Sequence, residues 1–373
     1  MIKKKVFVFA LLLASVFTLA AKNTVFAASI SEEKILNIYN WPDYIPEGMI
    51  KAFEKEFGIK VNYDTFETNE ALHAKLVAGK SGYDIVVPGA VFAKQQISAG
   101  LLQPLNKAKI PNVVNLDPSV MGALIKADPG NKYLIPWAWG FTTVGINKTK
   151  VNKALGGVPL PDNAWELVFN PKYTSKLKSC GIAYLDSPTE IMPVALHYLG
   201  KDAYSNKPGD YKSALVMLSK VRQHIRMFSS TMIDDISSGK ACVVIGWSGD
   251  INMAAARAKE NGSKDVIESL LPNKGALIFF DTMALTKDAK HPLNAHAFID
   301  FYLRAGNAAA MANEMSYPTG NMAAMSKVKP EIANNKTIFV DAGNLSKMIL
   351  PGSFTNEARE ALANAYLNFK KGK

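Results

Sequence analysis

The chain has 373 residues, 48% of them apolar and 20% charged, with 43 Lys+Arg against 32 Asp+Glu and a formal net charge of +11. That apolar content excludes a disordered chain, and no residue type is biased enough for a fibre or a repeat array. The basic excess first suggests an acidic partner, nucleic acid or an anionic membrane surface, and the length suggests about two domains.

Lys3, Lys4 and Lys5 open the chain, residues 6–21 form an apolar run broken only by Ser15 and Thr18, and Val25 and Ala27 put small residues at −3 and −1 of a cleavage point. This is the pattern of a secretory signal peptide over residues 1–27. The run is shorter than the ~20 residues of a membrane span, which argues against an uncleaved anchor. No cysteine stands at the cleavage point, which argues against a lipid anchor. Removing the leader takes four lysines and no acids, so the mature chain carries +7.

The first hundred mature residues alternate two patterns. Residues 35–39 read as a strand. Residues 47–57 read as a helix with Ile50, Phe53 and Phe57 on one face and Gly58 as its stop. A strand over 59–66, a helix over 69–78 closed by Gly79, and a strand over 83–87 ending at Pro88 follow. Such alternation predicts an α/β fold with a largely parallel sheet, and ligands of such sheets bind beyond the carboxyl ends of the strands. The loops at 40–46 and 88–92 are thereby placed at a candidate site. Further on come a strand over 180–185 with a helix from Ser187, a strand over 241–245 with a helix over 250–258, and a strand over 276–280 that ends at Asp281. The tail from Phe298 reads as mostly helical, with a loop around Tyr317-Pro318-Thr319-Gly320. No Pro/Gly/Ser-rich linker separates the halves. Two α/β lobes joined by segments crossing near 136–141 and 273–281 therefore fit better than two domains in tandem.

Several chemistries lack support. Gly246-Trp247-Ser248-Gly249-Asp250 misses the nucleophile elbow because Asp stands where its last Gly belongs. No Gly-rich phosphate-cradling motif occurs. The five histidines show no pair at i, i+4, so a metal site has no basis, and the two cysteines are too few for structural zinc. The lysines are scattered among acids, as a solvated surface has them, and do not form a nucleic-acid stripe. In an exported chain Cys180 and Cys242 either form one disulfide or remain two buried thiols. A bridge would close a loop of about 60 residues, worth up to about 4 kcal/mol in the chain-entropy model.

What remains is a set of strand exits that pair an aromatic with an acid. Trp41-Pro42-Asp43-Tyr44, Trp247-Ser248-Gly249-Asp250 and Phe279-Phe280-Asp281 are three, Glu190 opens the helix after Asp186, and Tyr317 stands in the late loop. These residue types suit a flexible alkyl diamine. Aromatic faces sandwich its methylene stem and attract ammonium, and carboxylates bind the desolvated cationic ends by charge-assisted hydrogen bonds.

Through residues 37–45, 83–88, 179–181, 245–250 and 279–281, a likeness that runs from about Ile35 to the C-terminus, the chain resembles periplasmic polyamine-binding proteins. These are the solute receptors of ABC importers, and the putrescine-binding proteins among them are nearest. The resemblance implies a two-lobed type II periplasmic-binding fold, each lobe a mixed, mostly parallel sheet flanked by helices. Its lobes would comprise residues 31–138 plus 277–325, and 139–276, with C-terminal helices over 326–373 belonging to either. It implies ligand contacts by Trp41, Asp43, Tyr44, Glu190, Trp247, Asp250, Phe279, Asp281 and Tyr317, a disulfide between Cys180 and Cys242, and a periplasmic monomer. That monomer would bind putrescine or spermidine without cofactor or catalysis and hand it to a membrane permease. The chain departs from the family at Pro42, where Ser or Thr is frequent, and at Gly89, where Ser is frequent. Each change removes a hydroxyl, which bears on selectivity.

Plainer roles compete. Ser187-Pro188-Thr189-Glu190 spells a capping box. Asp250 could cap the helix that follows it, Asp43 could make an Asx-turn, and Asp281 could be a solvated acid at a strand end. Trp137 and Trp139 read as core or hinge packing. Another cationic amine in the same fold is an alternative ligand. A secreted hydrolase is the remaining class, and it lacks both a nucleophile motif and clustered histidines.

Overall fold

The computed structural model describes residues 32–373; the leader expected over 1–27 lies outside them. Ten strands follow in chain order: β1 (Ile35–Asn40), β2 (Lys60–Thr65), β3 (Ile85–Val86), β4 (Leu102–Gln103), β5 (Ile135–Asn147), β6 (Ile182–Leu185), β7 (Met227–Ser229), β8 (Val243–Trp247), β9 (Ile267–Ser269) and β10 (Leu277–Thr286). Their path is β2-β1-β3-β10-β5-β8-β6-β7, with β4 added to β10 and β9 to β5.

Each end of this path is a parallel trio. β1 runs parallel to β2 and β3, and β6 runs parallel to β7 and β8. Parallel neighbours need a crossover, which helices supply. Met49–Phe57 and Asn69–Val77 serve the first trio, and Pro188–Tyr198, Pro208–Ser219 and Met232–Ser237 serve the second. Between the trios lie the two long strands, antiparallel to each other from Leu277↔Thr142 to Met283↔Ile135. β10 continues onto β3, and β5 continues onto β8. The crossings expected near 136–141 and 273–281 fall in or next to this ladder.

Two main apolar cores flank it. One gathers Leu36, Phe53, Ile85, Trp137, Phe298 and Tyr302, and the other gathers Phe141, Trp165, Tyr184, Ile191, Leu218 and Val244. The C-terminal helix Asn356–Lys371 buries Ala358, Leu362, Tyr366 and Phe369 in the second core. Cys180 and Cys242 are joined by a disulfide with Cα atoms 5.5 Å apart. They precede β6 and β8, whose parallel register sets Ile182 beside Val243 and so brings the two strand starts together.

Several boundaries differ from the sequence pattern. The helix expected from Glu47 begins at Met49, because Gly48 holds φ 76° ahead of it. The strand expected over 83–87 shrinks to Ile85–Val86. The strand expected to end at Asp281 runs on to Thr286, and its register shifts between Asp281 and Thr282. Asp281 is therefore a mid-strand residue at a bulge, only 7% exposed, and not a solvated acid at a strand end.

Candidate functional site

The carboxyl ends of β1 and β6 and the exit of β8 open into one cleft beside the β5–β10 ladder. All nine residues singled out from the sequence line it, namely Trp41, Asp43, Tyr44, Glu190, Trp247, Asp250, Phe279, Asp281 and Tyr317. Pro42 and Gly89 line it as well.

Two tyrosine–carboxylate pairs stand back to back. Tyr44 Oη donates to Asp281 Oδ2 at 3.0 Å, and Tyr317 Oη donates to Asp250 Oδ1 at 2.7 Å while accepting the Asp250 N–H at 3.2 Å. Their rings meet edge to face with centroids 4.9 Å apart. Close approach here needs missing side chains. A Cβ on Gly249 would lie 2.3 Å from the Tyr317 ring, and one on Gly140 would lie 2.8 Å from Phe279. Trp41 is fixed by its indole N–H on the Val87 carbonyl at 2.9 Å and by Phe66 at 4.5 Å, and its ring lies 6.0 Å from Trp247. Trp41 and Trp247 thus bring the β1 and β8 exits within aromatic contact.

The helix after β8 begins at Ser248, two residues earlier than its pattern suggested. Asp250 is therefore not its cap. It sits in the first turn, where the helix dipole favours a carboxylate. The capping box at Ser187 does not form either: Ser187 makes no cap hydrogen bond, and its hydroxyl meets Thr189 Oγ1 at 3.2 Å. Glu190 instead accepts from Thr142 Oγ1 on β5. Asp43 occupies a left-handed turn position, φ 48°, which Asp tolerates. Its carboxylate is more than half exposed and already engages Arg257 Nη2 at 3.1 Å, so it stands at the rim as a paired group.

Burial lifts Asp281 to about 7, helped by the charges of Glu190 and Asp250 and opposed by the Tyr44 hydrogen bond. Burial likewise lifts Glu190 to about 7, against the Thr142 hydrogen bond and with the field of Glu70. Asp250 rises to about 6 for the same leading reason, with Tyr317 opposing. Among the described residues no lysine, arginine or histidine forms an ion pair with these three carboxylates. The arrangement is a desolvated negative site walled by aromatic rings. It suits a small cation with an apolar stem. No cluster of His, Cys, Asp and Glu among the described residues could hold a metal.

Trp137 is packed in the first core against Tyr302 with ring centroids 4.4 Å apart, and Trp139 faces Phe280 at 6.4 Å. Neither lines the cleft. The sequence pattern missed Thr142, Tyr204, Phe354 and Arg359, which do line it, whereas Phe92 belongs to the loop expected there. Thr142 left a trace, a hydroxyl inside an otherwise apolar strand, where burial demands a partner. The others left none, since an arginine on an amphipathic helix reads as surface.

A model of bacterial extracellular solute-binding proteins matches residues 48–340. The chain is 41% identical to the putrescine-binding periplasmic protein SpuD of Pseudomonas aeruginosa, over 93% of this chain and 94% of that one. It is 40% identical to the putrescine-binding periplasmic protein PotF of Escherichia coli, over 98% and 96%. Among solved structures, the spermidine/putrescine ABC transporter substrate-binding protein PotD of Streptococcus pneumoniae superposes with a TM-score of 0.74 at 26% identity, covering 91% of this chain and 99% of that one. With the two-lobed α/β architecture and the cleft beside its central ladder, these likenesses establish that the chain belongs to the bacterial extracellular solute-binding protein family.

Proposed function

We propose that this protein captures a polyamine, putrescine or spermidine, in the cleft and delivers it to an ABC importer. The observation that carries the reading is the trio Asp250, Asp281 and Glu190, three carboxylates in an aromatic cleft that form no ion pair among the described residues. Removing them from water is costly unless a cation arrives. Trp41, Trp247, Phe279 and Tyr317 would hold the methylene stem, and Asp250, Asp281 and Glu190 would hold the ammonium ends. Residues 31–138 with 277–325 would form one lobe and 139–276 the other. Residues 356–371 would join the second, whose core they enter. Ligand would favour the closed arrangement by bridging the lobes, a population shift that the permease reads. The protein would act as a monomer in the periplasm after cleavage of residues 1–27, binding without turnover. Relatives named as putrescine-binding periplasmic proteins support this reading.

The test is thermal unfolding with added amine. Putrescine or spermidine at 100 times Kd is expected to stabilise the fold by about 2.7 kcal/mol, visible as a clear rise in Tm. No shift with any di-, tri- or tetra-amine at millimolar concentration would remove the proposal. A ligand of another kind co-purifying with native protein, identified by its mass, would do the same.

A further inference from the structure

The cleft is not acidic along its whole length. Arg359 lines it too. This residue sits near the start of helix Asn356–Lys371, which is anchored by Ala358, Leu362 and Phe369 in the second core. Its guanidinium carbon lies 6.0 Å from the ring of Phe92, on helix Ala90–Ser98. Among the described residues no carboxylate lies within ion-pair distance of it.

Neighbouring contacts tie Arg359, through Phe92 and the helix of Glu70, to the Glu190 side of the cleft. Thr189, next to Glu190, donates to Glu70 Oε1 at 3.1 Å. One turn along the same helix as Glu70, His73 lies 6.2 Å from the Phe92 ring. Burial is the main depressor of His73, and Arg359 and Glu70 then act on it in opposite directions, so both stand close to it. Asp250 feels the charges of Asp43 and Arg257, Asp281 those of Glu190 and Asp250, and Glu190 that of Glu70. A smaller cavity that shares Ala90, Val91, Phe280 and Pro351 with the cleft is lined also by Lys94 and Lys126. Two acids are also near: Glu70, which accepts the Thr189 hydroxyl and whose negative charge also reaches Glu190 and His73, and Glu67, which is exposed to water, so the guanidinium acts against their pull.

We propose that Arg359 is a length gate that makes the cleft select a diamine over a triamine. The inference rests on the polyamine reading above. A diamine places one ammonium by Asp250 and Asp281 and the other by Glu190. A triamine would carry its third ammonium past Glu190 toward the Arg359 guanidinium. At an effective dielectric of about 20, two unit cations about 8 Å apart repel enough to weaken binding on the order of ten-fold.

Titration calorimetry on the full mature chain tests this with putrescine, spermidine and ornithine. The wild type is expected to bind putrescine at least about ten-fold more tightly than spermidine. In Arg359→Gln, and in Arg359→Met, which keeps an apolar contact with Phe92 should the first variant fold poorly, that ratio is expected to fall at least about five-fold, with spermidine carrying the change. Arg359→Lys keeps the cation and is expected to keep the ratio. An unchanged ratio in the neutral variants, or a wild type that prefers spermidine, overturns the gate and leaves the polyamine reading standing. Ornithine binding the wild type more tightly than putrescine, and losing that advantage in Arg359→Gln, also overturns it, because Arg359 would then be a carboxylate anchor. A wild type that binds neither amine removes the polyamine reading together with the gate.

Discussion

Asp250 meets three groups at once: the Tyr317 hydroxyl on one oxygen, its own helix N-terminus, and the cleft. Replacing it by Asn keeps the size and an oxygen for Tyr317 but removes the charge. A charge-assisted hydrogen bond contributes about 1.5–3 kcal/mol, so Asp250→Asn is expected to weaken putrescine binding about ten-fold or more while Tm without ligand falls little or rises. Calorimetry that finds unchanged affinity would take Asp250 out of the binding set. At this scale the residue types were legible in the sequence: an acid close to an aromatic is a local pattern, whether it stands at a strand exit, as after β1 and β8, or within a strand, as in β10. Their partners were not. Thr142 reaches Glu190 across 48 positions and Tyr44 reaches Asp281 across 237, distances at which no local rule operates.

At the scale of elements, the helix Ser248–Glu260 starts flush against the late loop because Gly249 lacks a side chain. Gly249→Ala would drive a Cβ into the Tyr317 ring, and the ring would have to leave Asp250. Overpacking of this kind costs about 1–3 kcal/mol. The variant is expected to lose that much in denaturant unfolding and to lose polyamine affinity as well. Equal affinity would mean that Tyr317 is not needed where it stands. The parallel trios were readable from alternating strand and helix patterns with glycine stops. Of the long strands only the first half of β10 was readable, because Pro136 and Gly140 interrupt the apolar run of β5 and the polar pair Asp281-Thr282 interrupts that of β10. A bulge accommodates that polar pair within the ladder, and this depends on the partner strand, not on the local sequence.

For the whole molecule, the raised carboxyls set opposite pH trends for the fold and for its ligand. Asp281 and Glu190 are lifted to about 7 and Asp250 to about 6, above the unfolded values of about 4. The native state therefore binds these protons more tightly than the unfolded chain. The resulting stability is fully present below pH ~4 and is lost as pH rises through 6 to 7. An ammonium ligand needs the ionised forms, so its affinity runs the other way. Without ligand, Tm is expected to be higher at pH 5 than at pH 8, and the rise in Tm on adding putrescine is expected to be smaller at pH 5. Melting curves at both pH values with and without amine measure both trends. An equal amine-induced rise at the two pH values would show that these carboxylates are not the ammonium ligands.

The net charge of +11 pointed toward an acidic partner, yet the cleft is lined by acids. Distant exposed lysines are screened within about 8–10 Å, so the field inside the cleft is set by the few groups that face it. The sequence alone determined the α/β class, the exits of β1 and β8 that carry cleft residues, and the chemical type of those residues, because each is written in short-range pattern. The tertiary structure alone decided that Asp43 is paired to Arg257 at the rim, that Glu190 turns toward Thr142 and not into the competing capping box, and that Arg359 enters the same cleft. Those outcomes depend on side chains brought together by the β5–β10 ladder and the closing C-terminal helix, across separations for which the chain has no local signal.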